Sequence, residues 1–457
     1  MSATPEREGP VTVIGGGLAG CEVALQLAAR GVAVRLVEQK PLRRTPAQST
    51  DALAELVCSN SFRSANVQNA IGLLKHEMRA VGSRIMAAAD RCAVPAGDAL
   101  AVDRDAFAAD VSAQIHQQPL IEVVHEVVHE VPRVGPTVVA TGPLTGPELA
   151  ADIARLAGQD SLYFYDAIAP IVDADGLDWS VLFRASRYGK GEGDDYANIP
   201  LNKAEYDAFV AEVAAGEKVV PREFEEARYF EGCLPIEVMV ARGPLTLAHG
   251  PMKPVGLTDP RTGRWPYAAV QLRMENREGT AWNMVGFQTR LKYPEQRRIF
   301  QSLPGMQHAE FLRFGSVHRN TYLHAPSRLN DALSWFDRPD LWFAGQITGV
   351  EGYVESTACG LLIAFAVLAH RQGRALTPPP ATTALGALRR HLRGEGLFGA
   401  YAPSNLNWSL FPELPLPPPG PSGKVRKWTK GDKRAHLVAR AGVDLRGWWG
   451  ASGLAVD

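Results

Sequence analysis

A chain of 457 residues, 46% hydrophobic and 21% charged, has enough apolar material for a large core divided over two or three domains. Its formal net charge of −1 excludes a protein that grips nucleic acid through overall basicity, so a polyanionic partner must be met by a local basic patch. The five cysteines (Cys21, Cys58, Cys92, Cys233, Cys359) are scattered and odd in number; with no export signal in MSATPEREGP they read as reduced thiols of a cytoplasmic protein.

VTVI, Val11 to Ile14, predicts a short buried strand. Gly15, Gly17 and Gly20 then fit G-x-G-x-x-G, followed by a helix over LAGCEVALQLAAR and a second strand, VAVRLVE, ending at Glu38. This strand–glycine turn–helix–strand–acid order is a dinucleotide-binding pattern. The expected pyrophosphate contacts are the turn, Gly15, Gly16 and Gly17, and the helix start, Leu18, Ala19 and Gly20, where free N–H groups meet phosphate. Glu38 stands where an acid holds ribose hydroxyls. Cys21 reads as a small core residue. This unit alone leaves NAD and FAD open.

HEVVH, His125 to His129, matches the zinc-protease pattern H-E-x-x-H, which requires a helix. Here it lies in valine-rich IEVVHEVVHEVP, which predicts a strand or hairpin. In a strand the two histidines lie about 13 Å apart, too far to share one zinc, so no metal is expected. TVVATGPLTG, Thr137 to Gly146, predicts a further strand entering a glycine turn.

The middle of the chain has its own signals. GKGEGDDYANIP, Gly189 to Pro200, predicts a loop. A helix follows, with Asn202 as cap, Glu205 at the capping-box position, and Tyr206, Phe209, Val210 and Val213 on one apolar face. FEGCLPIEVM places Cys233 between a glycine and a Leu-Pro pair, with no metal-ligand spacing nearby.

Leu341 to Arg371 repeats the early grammar: a strand (LWFA), a turn with Gly345, Gly349 and Gly352, and a long helix. Together with the ATG strand it resembles the two-part FAD-binding fold of the glutathione-reductase type. That likeness implies FAD, with Gly345, Gln346, Gly349 and Tyr353 near the flavin ring. The apolar run Gly360 to Ala369 falls short of the roughly 20 residues a bilayer span needs, so no membrane is expected. The expected architecture is α/β: a discontinuous Rossmann-like FAD-binding domain over 1–150 and 330–457, with a large α/β insertion over 151–329. The end of the chain carries Lys424, Arg426, Lys427, Lys430, Lys433, Arg434 and Arg440 against Asp432, with Trp428 among them. This basic stretch is either a solvated tail or a phosphate-contacting segment.

The segments ELVCSNSFRS, PAGDALAVDRDAF, YFEGCLPIEVMVARGPLTLAHGPMKPVGL, VGFQTRLKYPEQRRIF, HRNTYLHAP and FAGQITGVEGYVESTACGLLIA resemble, in order and over nearly the whole chain, the folate- and FAD-dependent tRNA (uracil-5-)-methyltransferases. The glucose-inhibited-division flavoproteins share the FAD motifs but are less similar around EGCLPIE. The resemblance implies a carbon taken from 5,10-methylenetetrahydrofolate, reducing equivalents from NAD(P)H through FAD, and 5-methyluridine at position 54 of the tRNA T-loop as product. It implies Cys233 as the nucleophile that adds to uracil carbon 6, making carbon 5 an enolate carbon; a thiolate is suited to that addition. It implies Cys58, in VCSNSFRS, as the second functional cysteine, accepting the carbon-5 proton or shielding the flavin. Tyr353 is expected to stack on the flavin or pterin, and His318 and Arg319 are expected to contact folate or RNA. The rival readings are a wobble-uridine tRNA-modifying flavoprotein and a non-enzymatic flavin-containing RNA-binding protein.

Overall fold

The computed structural model describes residues 9–45, 47–158, 162–219, 234–395, 401–417 and 428–455, with backbone alone for 162–168 and 317–319. Val11–Ile14, whose valines are fully buried, forms the centre of a six-stranded sheet. It pairs in parallel with Val34–Glu38 on one side and Thr137–Val139 on the other. Ile121–His125 extends the first side, and Arg338–Phe343 and then Ser334–Trp335 extend the second. All pairings are parallel except the last, at the Ser334–Trp335 edge. The chain therefore crosses from one side of Val11–Ile14 to the other, and the crevice at the carboxyl end of that strand is where such sheets bind ligands.

Two helices seal this sheet. Leu18–Ala28 follows the first glycine turn, and Tyr353–Arg371 follows the last. They touch at Gly360, where a Cβ would lie 2.5 Å from the Ala19 carbonyl oxygen; only glycine lets the two backbones approach so closely. Tyr353–Arg371 is long and apolar enough to cross a membrane, yet 89% of its most apolar window is buried inside the protein, which makes it a core helix.

A second six-stranded sheet is antiparallel throughout, in the order Phe183–Arg184, Tyr196–Leu201, Ala268–Met274, Ala281–Met284, Ile171–Asp173, Phe311–Arg313. Its separate core takes Tyr206, Phe209, Val210 and Val213 from the helix Lys203–Ala215. The capping box is made: the Asn202 side chain accepts the Glu205 N–H at 3.0 Å, and the Glu205 carboxylate accepts the Asn202 N–H at 2.8 Å. Rings of Phe209, Phe287 and Phe300 close that core at centroid distances of 5.9 to 6.4 Å. A two-stranded antiparallel ribbon, Leu162–Ile168 with Ser316–Tyr322, carries the chain out to this sheet and back. Residues of the first core continue to Ala157 and resume at Leu323.

The histidine-valine segment is a strand only as far as His125; His129 lies beyond it. The His125 ring nitrogen Nδ1 is hydrogen-bonded to the Lys40 carbonyl, while His129 faces Glu148 at 4.0 Å. Among the described residues, three potential metal ligands cluster only at Glu192, Asp194 and Asp195, in a loop that ends at Asp195 rather than running to Pro200 as expected, because Tyr196–Leu201 pairs with Ala268–Met274 as a strand. Of the two readings of the basic stretch, the frayed tail does not hold from Lys430 onward. Lys430–Ala451 is a helix capped by Thr429, and Leu437, Ala441, Leu445 and Trp448 bury one face of it. Four glycines within it lower its intrinsic propensity; the 4-4-3 apolar spacing against the core overrides that. Lys424, Arg426 and Lys427 lie outside the described residues.

Candidate functional site

The first glycine turn works as its spacing requires. Gly15 has φ +106°, and a Cβ there would lie 2.6 Å from the Ala140 carbonyl oxygen. A Cβ on Gly20 would lie 1.9 Å from the Gly15 oxygen, so Gly20 lets the helix start sit directly on the turn. Gly17 differs: it has φ −78°, and its Cβ would meet nothing within 4 Å. The space above Gly17 is open because it belongs to a cleft. The Cys21 thiol, pushed up by burial and then by the charge of Glu38, donates to the Gly16 carbonyl at 3.3 Å and braces the turn from below.

That cleft, about 1120 Å³ and open to solvent, is walled by Gly15, Gly16, Gly17, Leu18 and Ala19 and by Glu38. Its far wall includes Gly345, Gln346 and Tyr353. Glu38 is buried; its carboxylate accepts the Gly16 N–H at 2.7 Å and the Lys40 N–H at 3.0 Å. Each oxygen keeps a second lone pair for a ligand hydroxyl. The first three N–H groups of Leu18–Ala28 have no acceptor within the helix, and with the helix dipole they suit a pyrophosphate. The residues present thus fit a dinucleotide cofactor, and the open space over Gly17 is the cradle that any larger side chain would fill. Gly20 and Gly349 stand outside the lining. A Cβ on Gly349 would meet the Tyr401 hydroxyl at 2.5 Å, so this glycine, with φ +85°, serves the turn itself.

A second cleft, about 1270 Å³, meets the first at Val57, Pro143, Leu144, Gln346 and Tyr353. Cys58 lines it, half-buried. Its loop is tied down from three directions. The Tyr353 hydroxyl accepts the N–H groups of Cys58 at 2.6 Å and Ser59 at 3.1 Å. Arg104 donates to the Leu56 carbonyl while pairing with Glu275 at 2.8 Å. Arg273, from the second sheet, donates to the Asn60 side-chain oxygen at 3.0 Å. Ala54 and Arg63 bracket the loop with φ of +51° and +63°, conformations that cost a non-glycine residue on the order of 1–3 kcal/mol each. The surrounding ties hold that strain: Arg63 pairs with buried Glu355, and the buried Lys75 ammonium donates to the Phe62 carbonyl at 2.9 Å. Burial, then the charge of Arg63, lowers Lys75 to about 7.

Tyr353 therefore does something the sequence did not disclose: its ring packs on Phe62 at 5.9 Å and its oxygen anchors the Cys58 loop. Burial, then the Cys58 charge, raises its hydroxyl well above the usual tyrosine range, so it stays protonated and keeps a proton to donate. Gln346 donates to both carboxylate oxygens of Glu351, at 2.8 and 2.7 Å. Arg104 and Arg273 were also missed, since nothing local distinguishes them from surface arginines.

Cys233 lies outside the described residues, and so do the side chains of His318 and Arg319. The chain resumes at Leu234, and the Ile236 N–H is held by the carbonyl of Gln288, a wall residue of the second cleft, at 2.8 Å. The helix Ile236–Arg242 begins there. Its Glu237, raised by burial, is hydrogen-bonded by the Thr289 hydroxyl.

Residues 10–375 match the family described as Glucose inhibited division protein A. The chain is 56% identical, over 96% of its length and 94% of the relative's, to the protein of Myxococcus xanthus named methylenetetrahydrofolate--tRNA-(uracil-5-)-methyltransferase TrmFO. It is 58% identical to the protein of the same name from Anaeromyxobacter dehalogenans, over 96% of each chain. The solved structure of Aquifex aeolicus GidA is similar in fold: TM-score 0.67 at 15% identity, covering 98% of this chain and 74% of that one.

Proposed function

The chain belongs to the TrmFO family of methylenetetrahydrofolate-dependent tRNA (uracil-5-)-methyltransferases, within the wider Glucose inhibited division protein A family, and on that footing we propose that it methylates carbon 5 of the uridine at position 54 of the tRNA T-loop. It does so in the cytoplasm, with FAD and with NAD(P)H as reductant. The observation that carries this reading is the junction of the two clefts. A cradle suited to a dinucleotide opens, at Gln346 and Tyr353, onto a second chamber walled by Cys58.

In this reading Gly15, Gly16, Gly17, Leu18, Ala19, Glu38, Gln346 and Tyr353 would hold FAD. Bound flavin and folate supply the one-carbon unit and the hydride. The chain's own part begins with Cys233. Its thiolate adds to uracil carbon 6, and the ring electrons move to make carbon 5 nucleophilic. After the carbon is transferred, Cys58 takes the carbon-5 proton, and the Cys233–carbon 6 bond breaks to return the thiolate. Two features support these roles: the Cys58 loop is fixed by Tyr353, Arg104 and Arg273, and the chain that resumes at Leu234 is tied to the cleft wall at Gln288. The target base is stacked within folded tRNA and must be turned out to reach such a chamber. Lys430 and Lys433, exposed at the start of the final helix, and the half-buried Arg434 continue the basic stretch and supply phosphate contacts. The separate cores favour a discontinuous cofactor unit and a substrate-facing insertion, but with the divisions nearer 158 and 322 than the expected 150 and 330, since Ile153, Ala157, Leu323, Ala325 and Leu329 pack in the first core.

The test is transfer of labelled carbon from methylenetetrahydrofolate to an unmodified tRNA transcript. Label is expected in the T-loop uridine, dependent on flavin and NAD(P)H. Label in the anticodon loop instead, or none anywhere with a flavin-loaded protein, refutes the reading.

A further inference from the structure

Two buried asparagines on the wall of the second cleft have side-chain nitrogens with no partner among the described residues. Asn283 and Asn320 are each 2% exposed, and both line that cleft. The side-chain nitrogen of each is sealed from solvent and lacks a hydrogen-bond acceptor. They come from different parts of the fold. Asn283 stands on the strand Ala281–Met284 of the second sheet, and Asn320 on the strand Ser316–Tyr322 of the two-stranded ribbon.

Folded proteins rarely leave a buried donor unmet, because its lost hydration is not replaced. A nearby wall residue shows the ordinary solution. Arg273 donates to Asn60, and Asn60 donates in turn to the carbonyls of Val102 at 2.9 Å and Met274 at 2.8 Å. That network closes within the fold. The two asparagine nitrogens do not close on anything, yet both belong to a chamber large enough for a planar heterocycle.

An asparagine amide offers a donor beside an acceptor, the complement of a lactam edge, O=C–N–H. Its last torsion is soft, so either end of the amide can turn to a ligand. We infer that Asn283 and Asn320 are specificity-determining residues that bind the lactam edge of a planar heterocycle in the second cleft. The inference rests on the proposed function, because the rings that function brings here all carry such an edge: uracil, the pterin of the folate, and the pyrimidine end of the flavin. Amide chemistry is shared among the three, and the experiment separates them. A ring lacking the edge would leave the asparagine amides unpaired and be rejected, which is how a buried polar wall discriminates.

Asn283→Leu and Asn320→Leu keep the branched heavy-atom skeleton, at a larger volume, and delete the amide. Asn283→Asp and Asn320→Asp keep the shape and replace the donor by an acceptor, so each position is probed by two variants with different risks of misfolding. Three quantities are measured on each purified protein that retains the wild-type far-ultraviolet circular dichroism. They are flavin content by absorbance, the dissociation constant for tetrahydrofolate, and the dissociation constant for an unmodified tRNA transcript. At least one is expected to weaken about tenfold or more, and the one that weakens identifies the ring. If the ring is uracil, the aspartate variants should also bind a transcript with cytidine at the target position better than wild type does, since an aspartate accepts from the exocyclic amine of cytosine. A merely structural amide would not shift that preference. All three quantities within twofold of wild type in both variants at both positions would overturn the inference. Wild-type protein that binds none of the three ligands would overturn the proposed function, and this inference with it.

Discussion

Tyr353→Phe removes a single oxygen, and the structure says where the effect must fall. That oxygen accepts two backbone N–H groups, from Cys58 and Ser59, while the ring packs on Phe62. Phenylalanine keeps the ring contact and leaves both donors without their acceptor. A buried donor stripped of its partner costs about 1–3 kcal/mol. This loop is half-buried and admits water, which sets each loss near the lower end, so the pair amounts to about 2 kcal/mol. If that energy now restrains local opening, losing it raises the open population about 30-fold, at tenfold per 1.4 kcal/mol. Hydrogen exchange read by mass spectrometry on a peptide spanning Leu56 to Ser61 measures this directly. Amides of Cys58 and Ser59 should exchange about 30-fold faster in Tyr353→Phe, while the core strands Val11–Ile14 and Ala268–Met274 keep their protection. Methyl transfer should fall, because Cys58 no longer holds one position. Unchanged protection of the Cys58 loop in a folded Tyr353→Phe protein would refute the assignment of Tyr353 as its anchor.

The open space over Gly17 makes Gly17→Val a test of the cofactor cradle: the protein should fold normally but purify without yellow colour, and full flavin absorbance would exclude that wall as the pyrophosphate site. Gly15→Val, by contrast, forces a side chain onto the Ala140 carbonyl at φ +106° and should lower stability itself. A transcript with 5-fluorouridine at the target position cannot lose a proton from carbon 5, so a covalent RNA–protein band should persist with wild type and with Cys58→Ala and vanish with Cys233→Ala; peptide mapping that put the RNA on Cys58 would reverse the two roles. Buried Glu77 accepts the N–H groups of Ala384 at 2.7 Å and Leu385 at 2.9 Å, and burial raises it from 4.5 to about 8. The folded state thus retains a proton that the unfolded chain releases, and this residue's contribution to stability falls as pH rises from about 4.5 to about 8. Urea unfolding at pH 5 and pH 8 should show wild type losing ground relative to Glu77→Gln; an equal difference at both pH values would contradict the raised value.

Much of the first cleft was legible in the sequence because its glycine-turn wall is built from contiguous residues. Strand, glycine turn, helix and acid follow one another within Val11 to Glu38, and each step has a local signal: positive φ at Gly15, close approach at Gly20, near-continuous apolar runs in the buried strands. The Asn202–Glu205 cap and the apolar face behind it were readable for the same reason, since a helix brings residues three and four apart together without help from the rest of the chain. The strand character of the segment ending at His125 likewise followed from its valines.

What the sequence could not supply was every relation that depends on distant parts of the chain meeting. Tyr353 anchors Cys58 across 295 positions, and Arg273 reaches Asn60 across 213. Gly360 is needed only because its helix lands on the Ala19 backbone. The final helix carries four glycines that argue against it locally, and only the core under Leu437, Ala441, Leu445 and Trp448 makes it worthwhile. Asn283 and Asn320 are unremarkable strand residues until the second sheet and the ribbon seal their amides into one chamber. Composition and spacing determined the cradle because its geometry is short-range; tertiary packing alone decided the chamber beside it, because burial and an unmet hydrogen bond are properties of a place in the fold rather than of a residue.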